Sequence, residues 1–336
     1  MNRTTKILFA LLIFSACSSN AWAWNSQGHM LVADLAWAQL AALPLVRAAI
    51  TGVLKKAKNK FHPEGTSASA VRDAFDYAAT FPDVIKRDLS TAYEPLVSPM
   101  NLSLWPNQKP DQKAGNERYR CKSWHYYDTP IRFTGPKPSP WPSNLLVAYP
   151  KAVQHLHALH HNKPYTGPTA PNISKDDLKF WWLGWLLHLS GDAHQPLHCM
   201  SDYKYVTKDG DDGGNKFPVA GGELHAVWDN MLVKAATRDD FHISDVERST
   251  TPSTKLAPLS KSWLGNVAVP VADASDLDPA HWVAVGADAA ENIAYKGIVP
   301  NQTLTPAYYT KAENYARKAA VLGGRRLANA LAGIFQ

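Results

Sequence analysis

The segment Phe180-Trp-Trp-Leu-Gly-Trp-Leu-Leu-His-Leu-Ser-Gly-Asp192 is almost wholly apolar until it reaches its polar end. Its length predicts a helix, and a helix that is apolar on nearly every side is a buried one. His188 and Asp192 are four residues apart, so both side chains project from one face of this helix. Many His–Asp pairs with this spacing lie at the surface, but a charge at the end of a buried helix is unfavourable unless it is paired or binds a metal. The segment therefore predicts a buried helix that ends in a metal site.

Two further groups of polar residues extend this site along the chain. Pro196 ends the predicted helix, and the turn after it can carry His198 back toward the same face. His225 and Asp229 form a second pair four residues apart, just after the sequence Gly-Gly-Asn215, which can bring backbone and an amide close to an anion. Zinc accepts imidazole nitrogens and carboxylate oxygens. The pattern indicates a zinc site with several ligands.

The N-terminus has the layout of a secretory signal peptide, with basic residues before the apolar run 7–14 and small residues around Ala23. We expect residues 1–23 to be removed and the mature chain, 24–336, to be periplasmic or secreted. A lipoprotein cut before Cys17 is the alternative. No other run approaches the roughly 20 apolar residues that cross a bilayer, so we expect no membrane segment in the mature protein.

Cleavage after Ala23 would make Trp24 the first residue of the protein. A terminal amine and its own carbonyl oxygen can chelate a metal, and His29 lies close enough in sequence to complete such a site. Removal of the signal peptide would then also create a metal ligand, so that metal binding would depend on processing. The remaining candidate ligands are Asp83 and His125.

The composition is that of an ordered protein with a sizeable core, with 45% hydrophobic residues, 12 Trp and 19% charged residues among 336. The net charge of +6 is compatible with a polyanionic substrate but carries little weight alone.

Strand-like alternation is scarce: two short extended pieces at 204–206 and 216–219 would be joined by the turn-rich stretch 209–214, and 98–142 is typical of long ordered loops. The sequence thus predicts an all-α fold, one mostly helical domain with long loops and one small hairpin. Six segments have helical length and period: 26–40, 69–79, 144–160, 174–193, 279–295 and 306–331.

The two cysteines of the mature chain, Cys121 and Cys199, could form a disulfide in an oxidising compartment, or remain two buried thiols. Four further histidines lie along one predicted helix without carboxylates nearby, and we expect them at a solvated helix end. They are His155, His157, His160 and His161. His194 lies between ligand candidates but points elsewhere on its helix, so we leave it out of the site.

Taken together, these residues resemble the secreted trinuclear-zinc, single-strand-specific nucleases and 3′-nucleotidases (nuclease type I), which share a helical fold with the zinc-dependent phospholipases C. The match runs from Trp24 to Asp229 and rests on nine ligand positions in the expected order. The resemblance implies three zinc ions. The first would be bound by Asp83, His125, His188 and Asp192; the second by the Trp24 amine and carbonyl, His29 and the shared Asp192; the third by His198, His225 and Asp229.

The same resemblance implies the roles of the remaining site residues. Asp83 would orient the attacking water, Lys86 and Asn215 would contact the scissile phosphate, and Tyr126 and Asp128 would bind the nucleobase. Expected substrates are single-stranded DNA and RNA, cleaved to 5′-phosphate products, and 3′-nucleotides; we expect a monomer. The sequence departs from the family in a long interval between Asp83 and His125, in fewer cysteines than the eukaryotic members, and in Tyr126, where Phe is frequent.

Two other functions fit parts of the pattern. A zinc-dependent phospholipase C needs the same metals. Two features favour the nuclease instead: the short spacing from Trp24 to His29, and an Asp at position 229, where the phospholipases have Glu. A zinc-binding protein without catalysis would not need Lys86 and Asn215 beside the metals.

Overall fold

The computed structural model describes residues 24–56, 67–87, 121–135, 138–169, 173–206 and 210–336, and its architecture is dominated by helices. One hydrophobic core runs from Trp24 to Phe335. Among the described residues, no helix has the length and apolar character that would carry it across a bilayer. The prediction of an all-α fold is confirmed. The helices are α1 Ser26–Gln39, α2 Pro44–Lys56, α3 Ala68–Ala78, α4 Phe81–Arg87, α5 Leu145–His160, α6 Lys175–Asp192, α7 Leu224–Asp229, α8 Met231–Arg238, α9 Ser253–Asn266, α10 Val271–Ser275, α11 Pro279–Ala289 and α12 Pro306–Phe335.

Helix α6 lies at the centre of the molecule, as its sequence predicts. Ser174 Oγ accepts the Asp177 N–H at 3.1 Å and the Asp177 carboxylate accepts the Ser174 N–H at 3.1 Å, a capping box that satisfies the first turn. Every residue of α6 from 180 to 192 is buried. Burial of each large apolar side chain stabilises the fold by roughly 1.5–3 kcal/mol, so this helix is held firmly where it meets the site.

Helix α1 is the second central helix and is buried from Ser26 to Trp37. The Asn25 side chain caps it by accepting the Gly28 N–H at 3.0 Å. It packs against α12, α9, α3 and α6, so it carries His29 into the interior from a different direction than α6 carries His188.

The helices predicted from periodicity are all present, with small differences at their ends. The predicted helix 279–295 continues past α11 as one turn of π-helix, Ala290–Ala294. Helices α2, α4, α8, α9 and α10 were not predicted. Helices α4, α8 and α10 have only five to eight residues, too few to show a clear period. Helix α2 does bury residues at helical spacing, Val46, Ile50, Val53 and Leu54. Short 3₁₀ turns occur at Leu40–Ala42, Lys122–His125, Pro196–His198 and Val246–Arg248.

The predicted pairing of extended segments is wrong. Strand β1, Thr129–Ile131, pairs in parallel with β2, Met200–Asp202, and residues 204–206 form no strand. Strand β3, Pro218–Val219, pairs instead with β4, Gly222–Glu223, through a tight turn in which Gly221 has φ +95°. After residue 209 the chain returns to β2 at Asp211, whose N–H donates to the Asp202 carbonyl at 3.0 Å and whose carboxylate accepts the Asp202 N–H at 2.9 Å.

Candidate metal centre

Three adjoining groups of histidines and carboxylates are buried at the end of α6. Within each group, the candidate ligand atoms all lie within 4.8 Å of one another. His188 belongs to two of the groups, which makes these two neighbours. The groups are His29, His188 and Asp192; Asp83, His125 and His188; and His198, His225 and Asp229.

The Asp192 carboxylate lies at the junction of the groups. Its Oδ2 is 3.0 Å from His125 Nδ1 and 3.3 Å from His188 Nε2. Its Oδ1 faces the other way, 3.5 Å from His29 Nε2 and 3.6 Å from His198 Nδ1. One carboxylate therefore offers one oxygen to each of two groups.

His29 reaches the centre because the neighbouring helix leaves space for it. Its ring stacks on the His188 ring, with centroids 3.7 Å apart. A Cβ at Gly191 would lie 2.6 Å from His29 Nδ1, closer than such atoms approach. Gly191 is thus required for α1 and α6 to bring their histidines together.

Asp83 and His125 come from short elements that flank α6. Asp83 is in the first turn of α4 and is fully buried, with its Oδ1 3.8 Å from His188 Nε2. His125 ends a 3₁₀ turn, and its Nδ1 lies 2.9 Å from His188 Nε2. His188 Nδ1 donates to the Ala79 carbonyl at 2.8 Å, which leaves the Nε2 lone pair directed at the group.

The third group provides a test of whether these residues fit a metal ion. His198 Nδ1 donates to the His125 carbonyl at 2.6 Å, and His225 Nδ1 donates to the Gly213 carbonyl at 2.6 Å. In their neutral forms both rings therefore present Nε2 lone pairs, and these two nitrogens are 3.2 Å apart. Ligands at about 2.0–2.1 Å from a tetrahedral zinc ion lie about 3.3 Å from each other. Asp229 Oδ1, 3.5 Å from His225 Nε2, supplies a third ligand, so the residues fit such an ion.

The loop before α7 reaches this group because of its glycines. Gly213 has φ +62°, and a Cβ there would lie 2.2 Å from the Leu197 carbonyl oxygen. The loop can therefore pack directly on the turn that carries His198. Asn215 follows, with its Nδ2 3.2 Å from His225 Nδ1 and 2.6 Å from the Asp212 carbonyl oxygen, to which it donates.

Trp24 lies beside the centre. The backbone N–H of the next residue, Asn25, donates to the Asp229 carbonyl at 3.2 Å, and the Trp24 side chain is fully buried. The start of the predicted mature chain therefore adjoins the last residue of α7.

Of the residues expected to bind substrate, Tyr126 and Asp128 lie close to His125 in sequence, and the side chain of Lys86 is outside the described residues. Tyr126 directly follows His125 and is partly exposed. Asp128 precedes β1; burial raises its pKa to about 7, with Asp212 and Asp211 adding to the effect and Lys216 opposing it. The Lys86 backbone belongs to α4, but its side chain is outside the described residues, as is the long interval 88–120.

The expectation of a disulfide is not met in the described part of the chain, where Cys121 and Cys199 are both buried and not bonded to each other. Cys199 instead donates to the Ala193 and Gln195 carbonyls at 3.6 Å and 3.5 Å, and burial raises the pKa of its thiol. The Cys199 Sγ occupies space beside Gly286 of α11.

The expectation of solvated histidines on α5 is wrong for one of them. His155 is buried, and its ring packs on Trp182 with centroids 4.7 Å apart. His161 is exposed, but its Nε2 contacts the Ile334 carbonyl at 2.9 Å. His194 is directed away from the centre, between the Ser190 carbonyl and Arg326.

Sequence reasoning missed two residues that shape the centre, Gly191 and Gln195. Gln195 is fully buried, and its Nε2 donates to Asp229 Oδ1 at 2.9 Å. The signal that could have indicated Gln195 is its position in the sequence, as a polar residue between the candidate ligands Asp192 and His198.

A helical fold that buries three adjoining sets of imidazole and carboxylate ligands is the architecture of a multinuclear metal hydrolase. The family model described as S1/P1 Nuclease matches residues 24–336. Endonuclease 1 of Arabidopsis thaliana is 25% identical over 351 aligned positions, which cover 99% of this chain and 94% of that protein. Endonuclease 4 of the same plant is 30% identical over 161 positions, covering 46% of this chain and 50% of that protein.

The chain belongs to the S1/P1 nuclease family. It is accordingly a hydrolase that acts on the phosphodiester bonds of nucleic acids, and its family is metal-dependent. The resemblance drawn from the nine ligand positions is confirmed at the level of the family.

Proposed function

We propose that this protein is an exported nuclease with three zinc ions that cleaves single-stranded DNA and RNA to 5′-phosphate products and also dephosphorylates 3′-nucleotides. The observation that carries the proposal is the arrangement of Asp192, whose two oxygens face two different sets of histidines, beside a third complete set. Three ligand sets this close together are suited to a substrate with several negative oxygens at one phosphorus.

The proposed ligand sets follow the three groups, except that Asp192 rather than His188 is shared between the first two. Bound there, zinc supplies Lewis-acid activation of water and neutralises charge on the phosphate and on the departing oxygen. The donor set of nitrogens and carboxylate oxygens is one that zinc accepts. The ions would be held by Asp83, His125, His188 and Asp192; by Trp24, His29 and Asp192; and by His198, His225 and Asp229.

The protein's own residues orient the reactants. Asp83 is buried in the first turn of α4, and its carboxylate can accept a hydrogen bond from the attacking water and hold it in line with the phosphorus. Asn215 can donate to a non-bridging phosphate oxygen from its position beside His225. Lys86, three residues after Asp83, would add a positive charge at the same phosphate.

Base recognition supports the preference for single strands. Tyr126 offers a partly exposed ring next to the ligand His125, and stacking on such a ring requires an unpaired base. Burial raises the pKa of Asp128 to about 7, so that a protonated Asp128 could donate to a base edge and an ionised one could accept from it.

Export is proposed from the same part of the chain. The hydrogen bond from the Asn25 N–H to the Asp229 carbonyl supports a position for the new amine near the third ligand group after cleavage following Ala23. A free amine and its carbonyl oxygen would then complete the ligands around His29.

Elemental analysis of the mature protein, combined with a substrate panel, tests the proposal. We expect three zinc ions per chain, rapid cleavage of single-stranded DNA and RNA, slow cleavage of duplex DNA, 5′-phosphate ends, and phosphate release from 3′-mononucleotides. Hydrolysis of phosphatidylcholine with intact single-stranded DNA would support a phospholipase instead, and bound zinc with no hydrolysis of any ester would indicate a binding protein.

A further inference from the structure

Gln195 occupies the turn that joins α6 to the 3₁₀ turn carrying His198. Its backbone N–H donates to the Asp192 carbonyl at 3.0 Å, and its carbonyl accepts the His198 N–H at 3.0 Å. The residue is fully buried. It therefore links a ligand shared by two groups with a ligand of the third.

The orientation of the Gln195 amide is determined by its neighbours. Its Oε1 accepts the Leu197 N–H at 2.6 Å, and a backbone N–H can be satisfied only by the oxygen of the amide. The amide nitrogen must then be the atom that faces Asp229. Its N–H donates to Asp229 Oδ1 at 2.9 Å, a hydrogen bond strengthened by the carboxylate charge.

The hydrogen bond from Gln195 reaches the Asp229 oxygen that is the candidate metal ligand. Asp229 Oδ1 is the oxygen that lies 3.5 Å from His225 Nε2. The Asp229 backbone is positioned separately, by α7 and by the Asn25 N–H. Gln195 therefore influences the rotation of the carboxylate rather than the position of the helix.

We propose that Gln195 is a positioning residue of the third ligand group and determines how tightly that group retains its cation. The proposal rests on the proposed function in one respect, that His198, His225 and Asp229 hold a zinc ion. Hydrogen-bond partners of metal ligands commonly change metal affinity by about 10–100-fold when removed. The same range is expected here, because an Asp229 carboxylate that can rotate must be ordered again whenever the cation binds.

Gln195→Met tests the proposal, since methionine fills a similar volume but donates no hydrogen bond. The zinc-loaded mature protein and the variant are dialysed against a graded zinc chelator, and zinc per chain is measured by elemental analysis. We expect the variant to release one of three ions at a free zinc concentration about 10–100-fold higher than the parent requires, with the other two retained. Unchanged retention of all three ions in the folded variant overturns the proposal.

Tyr308→Phe is the matched control, because it removes two other buried hydrogen bonds near this group, from Trp228 Nε1 to Tyr308 Oη at 2.7 Å and from Tyr308 Oη to the Ala294 carbonyl at 2.9 Å. It should lower the melting temperature without releasing zinc. Equal release by both variants would mean that general destabilisation, and not the Gln195 donor, explains the loss.

A second variant covers the case in which Gln195→Met does not fold. Gln195→Glu keeps an oxygen for the Leu197 N–H but presents a carboxylate to Asp229 in place of the donor, and it should release the same ion. Retention of three ions by folded Gln195→Glu would then overturn the proposal. A parent that binds fewer than three zinc ions would instead contradict the proposed function.

Discussion

At the scale of single residues, Asp192 has the greatest influence on the centre. Its two oxygens approach four different histidines, at distances from 3.0 to 3.6 Å. Asp192→Ala should abolish nuclease activity and reduce bound zinc by more than one ion, because it removes a ligand from two groups at once. Activity assays and elemental analysis would measure both effects.

An exposed carboxylate is the control for that substitution. Asp273→Ala, in α10, should leave zinc content and rate at parental values. Full activity with three zinc ions in Asp192→Ala would show that the carboxylate does not serve two ions.

Gly191 allows a second prediction at this scale. Gly191→Ala would place a methyl group 2.6 Å from His29 Nδ1, and the stacked His188 ring restricts the movement of His29 away from it. We expect the variant to fold but to bind the ion of the His29 group at least about 10-fold more weakly, with a matching loss of rate.

The comparison variant is Gly52→Ala, in α2, where a new Cβ meets nothing within 4 Å. It should keep its zinc and gain a little stability from helix propensity. If Gly191→Ala bound zinc as the parent does, the space at Gly191 would not be needed for the metal centre.

At the scale of elements, the packing of α5 on α6 makes stability depend on pH. Burial, helped by the charge of Lys151, lowers the pKa of His155 from 6.5 to about 4. Between these values the unfolded chain binds a proton that the folded chain does not, so the free energy of unfolding falls as pH decreases through this window. His155→Phe should reduce the slope against pH by up to about 1.4 kcal/mol per pH unit, the value for one proton.

Urea unfolding from pH 4 to pH 7 would measure this slope. Phenylalanine preserves ring packing against Trp182, so the comparison isolates the proton. His242→Phe, the same substitution at an exposed position, is the control. Identical slopes for His155→Phe and the parent would be inconsistent with a neutral, buried His155.

At the scale of the whole molecule, the predicted site depends on how the chain is processed. If the Trp24 amine is a ligand, extra residues ahead of Trp24 convert this amine to an amide, whose nitrogen has no lone pair available for the metal. A mature protein with a short N-terminal extension should therefore lose zinc from the His29 group and most of its activity. The same tag placed after Gln336, at the end of α12, is the control. Normal zinc content and rate in the extended protein would rule out the amine ligand.

Much of the fold could be predicted because its signals are local. The buried character of α6 follows from its apolar residues, and its start follows from Ser174 and Asp177. The strand pairing was mispredicted because β1 and β2 are three residues each and their paired residues, such as Thr129 and Met200, are far apart in sequence, so that nothing local links them.

The sequence by itself determined the helical class, the ligand types and the pairs four residues apart, because residue chemistry and helix geometry act over a few positions. Only the tertiary structure decided that Gly191 makes room for His29 and that Gln195 holds Asp229. The physical reason is the same in each case. These contacts join residues that are distant along the chain, and their energies exist only once separate helices have packed together.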